Sequence, residues 1–205
     1  MLQKKELVLA SQSPQRLQIL KNIGIIPNHI VNPNCDETPL KKERPYEFVK
    51  RISKEKATSV KGYEHCFIIA ADTIIVKGLT IIGKPKNIED AKNIMQKLSG
   101  GRHKVLTSFS LIIPKSDKSE KRIITKAVKT SILVKKLQPQ EIDNYLATNQ
   151  WENRSGGYAI QGYFELFIKQ INGSLSNVIG LPSQEVYNSL IGEGYKPKLL
   201  NPDKI

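Results

Sequence analysis

Leu7-Val-Leu-Ala-Ser-Gln-Ser-Pro-Gln-Arg16-Leu17 is the stretch from which the fold can be read. Leu7 to Ala10 is a short apolar run suited to a buried strand, and the chain turns polar at once. Pro14 has the fixed φ and missing N–H that a first helical position tolerates, which makes Ser13 the N-cap. Leu17, Leu20 and Ile23 give the helix an apolar stripe, and Gly24 is its stop. Free backbone N–H groups, the hydroxyls of Ser11 and Ser13, and Arg16 therefore meet at the positive end of a helix dipole, where phosphate binds well. A serine-capped strand–turn–helix is also a common structural unit, and most such units bind nothing.

Outward from this unit, strand-like and helix-like segments alternate. An extended stretch near His29–Asn32 is followed by a helix from Pro45 to Val60, with Val49, Ile52, Ala57 and Val60 along one side. Phe67–Val76 is a nearly continuous apolar run, the pattern of a buried central strand. Asn87 caps a helix running to Leu98, with Ala91, Ile94, Met95 and Leu98 as its stripe and Gly100 after it. Alternation from Val105 to Ile113 puts Val105, Thr107, Phe109, Leu111 and Ile113 on one strand face, and Lys115–Arg122 reads as a hairpin before a return strand over Ile123–Val134. Pro139 opens a helix, a strand lies near Leu166–Ile171, and Pro182 starts the last helix. No repeat or linker divides residues 1–205, so the expectation is one α/β domain with a mixed sheet flanked by helices.

Composition narrows the class. The 205 residues include two cysteines, Cys35 and Cys66, too few for a disulfide framework, and no His/Cys cluster has zinc-site spacing. No apolar stretch approaches the ~18 residues of a membrane span, and the start of the chain lacks a signal-peptide core. A cytoplasmic protein with reduced thiols is expected. The formal net charge of +13 suits nucleic acid, free nucleotides or an anionic surface alike. Its lysines are dispersed through every segment, however, with no arginine stripe interleaved with aromatics. That favours a solvated surface over a stable nucleic-acid or membrane partner.

Asp72 interrupts the apolar run Phe67-Ile-Ile-Ala-Ala-Asp-Thr-Ile-Ile-Val76, where a carboxylate is costly without partners. Gly83-Lys84-Pro85 places a cation on a turn soon after. Lys56 lies four residues beyond Ile52 and seven beyond Val49, on the apolar side of its helix. Either its stem snorkels past the core or its ammonium is aimed into an anionic site. Asp36-Glu37 adds loop carboxylates of the kind that ligate metals. Ser155-Gly-Gly-Tyr-Ala-Ile-Gln-Gly162 offers backbone for close approach and, in Gln161, an amide that both donates and accepts, as reading a base edge requires.

Taken together, these segments resemble the Maf family of nucleoside triphosphate pyrophosphatases across nearly the whole chain. Leu9-Ala-Ser-Gln-Ser-Pro-Gln-Arg16, Ala71-Asp-Thr73, Gly83-Lys-Pro85, Leu98-Ser-Gly100 with His103, Val105 and Thr107, Gly157-Tyr-Ala-Ile-Gln-Gly162 and Asn177-Val-Ile-Gly-Leu-Pro182 stand in family order. Asp72-Thr73 with Gln161-Gly162 is similar to the branch acting on dTTP and UTP; the branch hydrolysing 7-methyl-GTP usually has Asp-Gln and Glu-Gly there. The resemblance implies hydrolysis of a nucleoside triphosphate to the monophosphate and pyrophosphate. It implies Asp72 as proton acceptor, Arg16, Lys56 and Lys84 on phosphate oxygens, and Ser11 and Ser13 in the phosphate cradle. Thr73, Gln161 and the residue at Gln15 would sort bases. Glu37 and Asp72 would hold a divalent cation, Mg²⁺ or Mn²⁺ for an oxygen-only ligand set. Similarity of the family to the inosine-triphosphate-pyrophosphatase-like fold implies two lobes around a cleft and, often, a homodimer. The rival reading from the same residues is a regulatory nucleotide-binding protein with little turnover. Two departures stand out: the family's first motif usually reads Ser-Pro-Arg-Arg where this chain has Gln15, and Phe164-Glu165 replaces small residues, implying a narrower or differently charged pocket.

Overall fold

The computed structural model describes residues 6–114 and 122–197. Strand β1 (Leu7–Ala10) leads into helix α1 (Pro14–Asn22), then β2 (His29–Val31) and α2 (Pro45–Ser59). Strands β3 (Phe67–Lys77) and β4 (Thr80–Ile82) precede α3 (Ile88–Leu98), and β5 (Arg102–Ile113) and β6 (Arg122–Val134) form the longest antiparallel pair. Helix α4 (Pro139–Ala147), β7 (Ile168–Asn172), α5 (Leu175–Ile179) and α6 (Ser183–Gly192) complete the order. The mixed α/β class expected from the sequence is what forms. Apart from Arg122, which already belongs to β6, the hairpin expected at Lys115–Arg122 lies outside the described residues. The late strand begins at Ile168, because Tyr163–Phe167 is taken up by a 3₁₀ turn whose Phe164 and Phe167 sink into the core.

The sheet has the order β2-β1-β3-β5-β6-β7, with β4 on β3. Strand β1 runs parallel to both β2 and β3, whereas β3, β5, β6 and β7 are antiparallel to their successive neighbours. On the edge away from β5, β1 covers Phe67–Ala70 and β4 covers Ile75–Lys77. Between them, residues 71–74 of β3 have a strand neighbour on the β5 side only. That gap positions the site described below.

Both faces of β3 and β5 are buried, which the one-faced alternation read at Val105–Ile113 does not anticipate. On one face, α1 and α6 cover Leu7, Phe67, Ile69 and Phe109, while α3 and α4 cover Ile75, Val105 and Ile132. On the other, α2 packs Ala57 and Val60 over Ile68, Ala70 and Ile112, and Phe48, Val49 and Ile52 over Ile74, Val76 and Leu106. Each face is split at the same level. Thr73 pairs with Thr107 across the strands on the first face, and Asp72 with Ser108 on the second. Serines 108 and 110 escape the sequence pattern because they are small and polar, yet both are fully buried against Ser53 of α2, whose Oγ lies 2.9 and 3.1 Å from theirs. A polar belt therefore crosses an otherwise apolar core.

His103 on β5 is 2% exposed and shares a 2.7 Å hydrogen bond between Nε2 and the Tyr158 hydroxyl. Burial pushes its pKa down to about 4, with Lys77 adding to the shift. The imidazole is therefore neutral in the fold but charged in the unfolded chain below about pH 6.5. Between those values the unfolded state binds more protons, so stability falls with acidification, by about 3 kcal/mol in total from this group. Urea denaturation across pH 6.5 to 4 should give a smaller acid loss for His103→Asn than for the parent; equal slopes would remove His103 as the source.

Candidate active site

The gap in the sheet edge opens into a cavity of about 540 Å³, within the range of small-molecule sites. Ser13, Gln15, Arg16, Glu37, Lys56, Asp72, Thr73, Lys84 and Gln161 all line it. Ser11 does not: it is buried behind the wall, where its Oγ accepts from Arg16 Nη1 at 3.1 Å and from the Ser13 N–H at 3.2 Å. Its place is to hold the arginine and the turn.

The helix start forms as its residues dictate. Ser13 Oγ accepts from the Arg16 N–H and Pro14 occupies the first helical turn. Arg16 is half-buried and held by neutral acceptors, which take three of its five side-chain N–H groups. Nε donates to the Gly180 carbonyl at 2.9 Å and Nη2 to Thr73 Oγ1 at 3.4 Å. Burial lowers its pKa, opposed by the nearby charges of Asp72 and Glu37. The Gly180 end of this arrangement depends on a backbone at φ 136°, a region glycine tolerates. Asn177 fixes it further: its carbonyl accepts from Thr107 Oγ1 at 2.7 Å, and its buried Nδ2 donates to Thr130 Oγ1 at 2.9 Å. Thr107 Oγ1 in turn lies 3.0 Å from Thr73 Oγ1. The role of Asn177-Val-Ile-Gly180, at the end of the short helix α5, as the arginine's anchor was not visible in the sequence beyond the motif itself.

On the opposite face, Lys56 resolves in favour of the site. Its Nζ donates to Asp72 Oδ1 at 2.7 Å and lies 2.9 Å from Glu37 Oε1. Lys56 and Asp72 are each 7% exposed, whereas Glu37 is exposed. The Glu37 loop is tied to α2 by Arg51, which donates to the Thr38 carbonyl at 3.0 Å and to both Glu43 carboxylate oxygens. Asp36 turns away and accepts from the Thr38 N–H and hydroxyl, which hold its carboxyl below the usual range. Of the Asp36-Glu37 pair, only Glu37 joins the cavity.

Among the described residues, no three of His, Cys, Asp and Glu gather as a metal cage. The donor set is two carboxylates meeting at one ammonium. That suits a hard cation that keeps waters and arrives on phosphate oxygens, which needs only one or two protein carboxylates.

One wall segment was read in the sequence as backbone for close approach, and the arginine just before it was not read at all. The Ser155–Gly157 turn packs on β3: Ser155 Oγ donates to the Thr73 carbonyl at 3.4 Å, and the Gly156 N–H donates to the Gly83 carbonyl at 2.9 Å. A Cβ on Gly156 would meet Ile75 Cδ1 at 2.3 Å, so glycine is required for this approach. Arg154, just before it, also lines the cavity. Its only signal was an arginine beside a glycine pair in a chain whose cations are mostly lysine. Phe164 and Glu165 do not narrow the pocket. Phe164 is fully buried and stacks on Tyr158 at 4.2 Å, and Glu165 lies outside the lining.

Residues 6–192 match the family model described as Maf-like protein. The chain belongs to the Maf family. Relatives named dTTP/UTP pyrophosphatase include one from Mesorhizobium japonicum, 40% identical over 199 residues with 94% of this chain and 93% of the relative covered. Another, from Zymomonas mobilis subsp. mobilis, is 40% identical with 92% of each chain covered. A third, from Rhodospirillum rubrum, is 38% identical with 93% and 89% covered. Of solved structures, a HAM1 protein from Coxiella burnetii is similar at 13% identity and TM-score 0.47, covering 93% of this chain and 100% of that one. So loose a likeness adds nothing to the topology already described. Within the described residues of this Maf protein, no helix is long and apolar enough to cross a membrane.

The Lys56–Asp72 pair generates a stability prediction. Lys56→Met leaves the Asp72 carboxylate without its nearest cation at 7% exposure, and breaking such a pair costs roughly 3 kcal/mol or more. Lys56→Met combined with Asp72→Asn should recover part of that loss in chemical denaturation. Additive losses would mean that the two groups are not coupled.

Proposed function

We propose that this Maf protein hydrolyses dTTP and UTP to the monophosphate and pyrophosphate. The observation that carries the reading is the meeting of Arg16, Lys56 and Lys84 with Asp72 in one cavity at an interrupted sheet edge. The curated relatives' name supplies the substrate class. A nucleoside triphosphate carries several negative charges, so positioning and neutralisation dominate its hydrolysis. The Ser13 turn and Arg16 receive phosphate oxygens at the helix start. The Lys84 side chain, exposed and with no ion pair among the described residues, closes over them from the opposite loop.

Water attacks the α-phosphorus: its oxygen forms the new P–O bond, the bond to the bridging oxygen breaks, and pyrophosphate leaves with that electron pair. Asp72 takes the water's proton. Lys56 holds Oδ1, while Oδ2 carries no hydrogen bond among the described residues and is the oxygen available for the proton. A divalent cation near Glu37 and Asp72 would supply charge neutralisation and Lewis acidity. Gln161 is exposed on the cavity wall, and its side chain makes no hydrogen bond among the described residues, so both amide groups are free to read a pyrimidine edge. Thr73 and Gln15 flank the phosphate end. A free nucleotide is the partner in this reading, with no nucleic acid or membrane, and the cytoplasm as the place of action. A homodimer is the assembly that the family's fold implies.

Pyrophosphate release from a panel of standard and modified nucleoside triphosphates tests the reading. dTTP and UTP should lead the panel, and binding without release would favour a regulatory role. Asp72→Asn should fold yet lose roughly a hundredfold or more in turnover; turnover equal to that of the parent would remove Asp72 as proton acceptor. Excess chelator should abolish release and Mg²⁺ or Mn²⁺ should restore it, whereas full activity in chelator would sink the metal assignment.

A further inference from the structure

Gln15 and Arg154 face each other across the mouth of the cavity, and both line it. With the amide oxygen turned toward the guanidinium, Gln15 Oε1 accepts from Arg154 Nη1 and Nη2 at 3.0 and 3.2 Å. In that orientation Gln15 Nε2 donates to Ser13 Oγ at 3.1 Å, so the amide bridges the helix cap and the arginine. Lys56 in the same cavity is partly neutralised, sitting between Asp72 and Glu37. Arg154 has no carboxylate at ion-pair distance among the described residues, and its partner is neutral. A guanidinium so held leaves N–H donors for a ligand. Its backbone is also well placed: Arg154 directly precedes the Ser155–Gly157 turn, which is pinned to β3 and to the Gly83 loop by the bonds already given.

We propose that Arg154 is a triphosphate-binding residue, aimed by the Gln15 amide, and that it supplies from the late loop a guanidinium which α1 lacks at position 15. The neutral amide is the reason the two side chains can sit together. An arginine at position 15 would face Arg154 with like charge, whereas glutamine accepts from it. This inference rests on the nucleoside-triphosphatase reading for its ligand, and it adds a phosphate contact that the lysines do not make: a planar fork suited to two oxygens at once.

The test separates binding from turnover. Calorimetric binding of inorganic triphosphate and steady-state kinetics on dTTP are measured for the parent, R154Q and R154K. R154Q should bind inorganic triphosphate about ten- to a hundredfold more weakly, the usual scale for losing a charge-assisted contact, with KM for dTTP raised in parallel. R154K, which keeps the charge but loses the planar fork, should fall between the parent and R154Q. Triphosphate affinity unchanged in R154Q overturns the proposal, and R154K equal to the parent overturns the fork contact. Circular dichroism of R154Q checks the fold, and R154K carries the comparison if R154Q does not fold. Should the parent bind inorganic triphosphate in an Arg154-dependent way yet release no pyrophosphate from any nucleotide, the hydrolase reading fails and this one stands.

Discussion

The polar belt across the sheet is the constraint on which the rest of this structure depends. At one level of β3 and β5, side chains on both faces are polar: Asp72 and Ser108 on one, Thr73 and Thr107 on the other. Buried polar groups are tolerated only with partners, so each covering element must bring matching ones at that level. Helix α2 does so by placing Ser53 and Lys56 between two apolar stretches. On the other face, α1 and α5 bring Arg16 and the Gly180 carbonyl. The position of each helix along the sheet is thereby set by chemistry as well as by packing. A shift of one helical turn would strand a lysine in an apolar cluster.

That arrangement also distributes the charges of one cavity over both faces of the sheet. Asp72 and Lys56 lie on the α2 face, and Arg16 lies on the α1 face, one residue along the strand. Successive side chains of a strand point to opposite faces, so the Asp72-Thr73 dipeptide addresses both. Only at an uncovered strand edge can one ligand reach both faces together. The short reach of β1 and the early end of β4 at Ile82 leave that edge open at residues 71–74.

Much of this was legible in the chain. Leu7–Leu17 gave its strand, cap and helix because proline, serine and the apolar stripe act locally, and Asn87 capped α3 as read, its Oδ1 accepting from the Asp90 N–H. Asp72 and Lys56 stood out because a charge on an apolar face has few explanations. What stayed hidden was long-range. Nothing in the spacing of Ser108 and Ser110 says that a serine from α2 meets them, and alternation alone made their face look solvated. The short α5 depends on Ser174 capping and on Asn177 being drawn into the core. Arg154 was hidden for a similar reason: its significance lies in facing Gln15, 139 positions earlier in the chain. Phe164 was read as pocket and is core, because a 3₁₀ turn rotates it onto Tyr158.

The open stretch of β3 has a further meaning for how these molecules behave in a crowded solution. A strand edge with unpaired N–H and C=O groups is a template for pairing with another chain. Here the stretch without a strand partner is only residues 71–74, it carries a carboxylate, and cations stand around it. An incoming strand would have to bury those charges, whereas a polyanion with a flat ring would be welcomed by them. The groups that receive a small ligand thus also guard the sheet against its own kind. Removing several of the cavity's charges at once would therefore expose a sticky edge, and such a chain would be prone to self-association before any question of its chemistry arose.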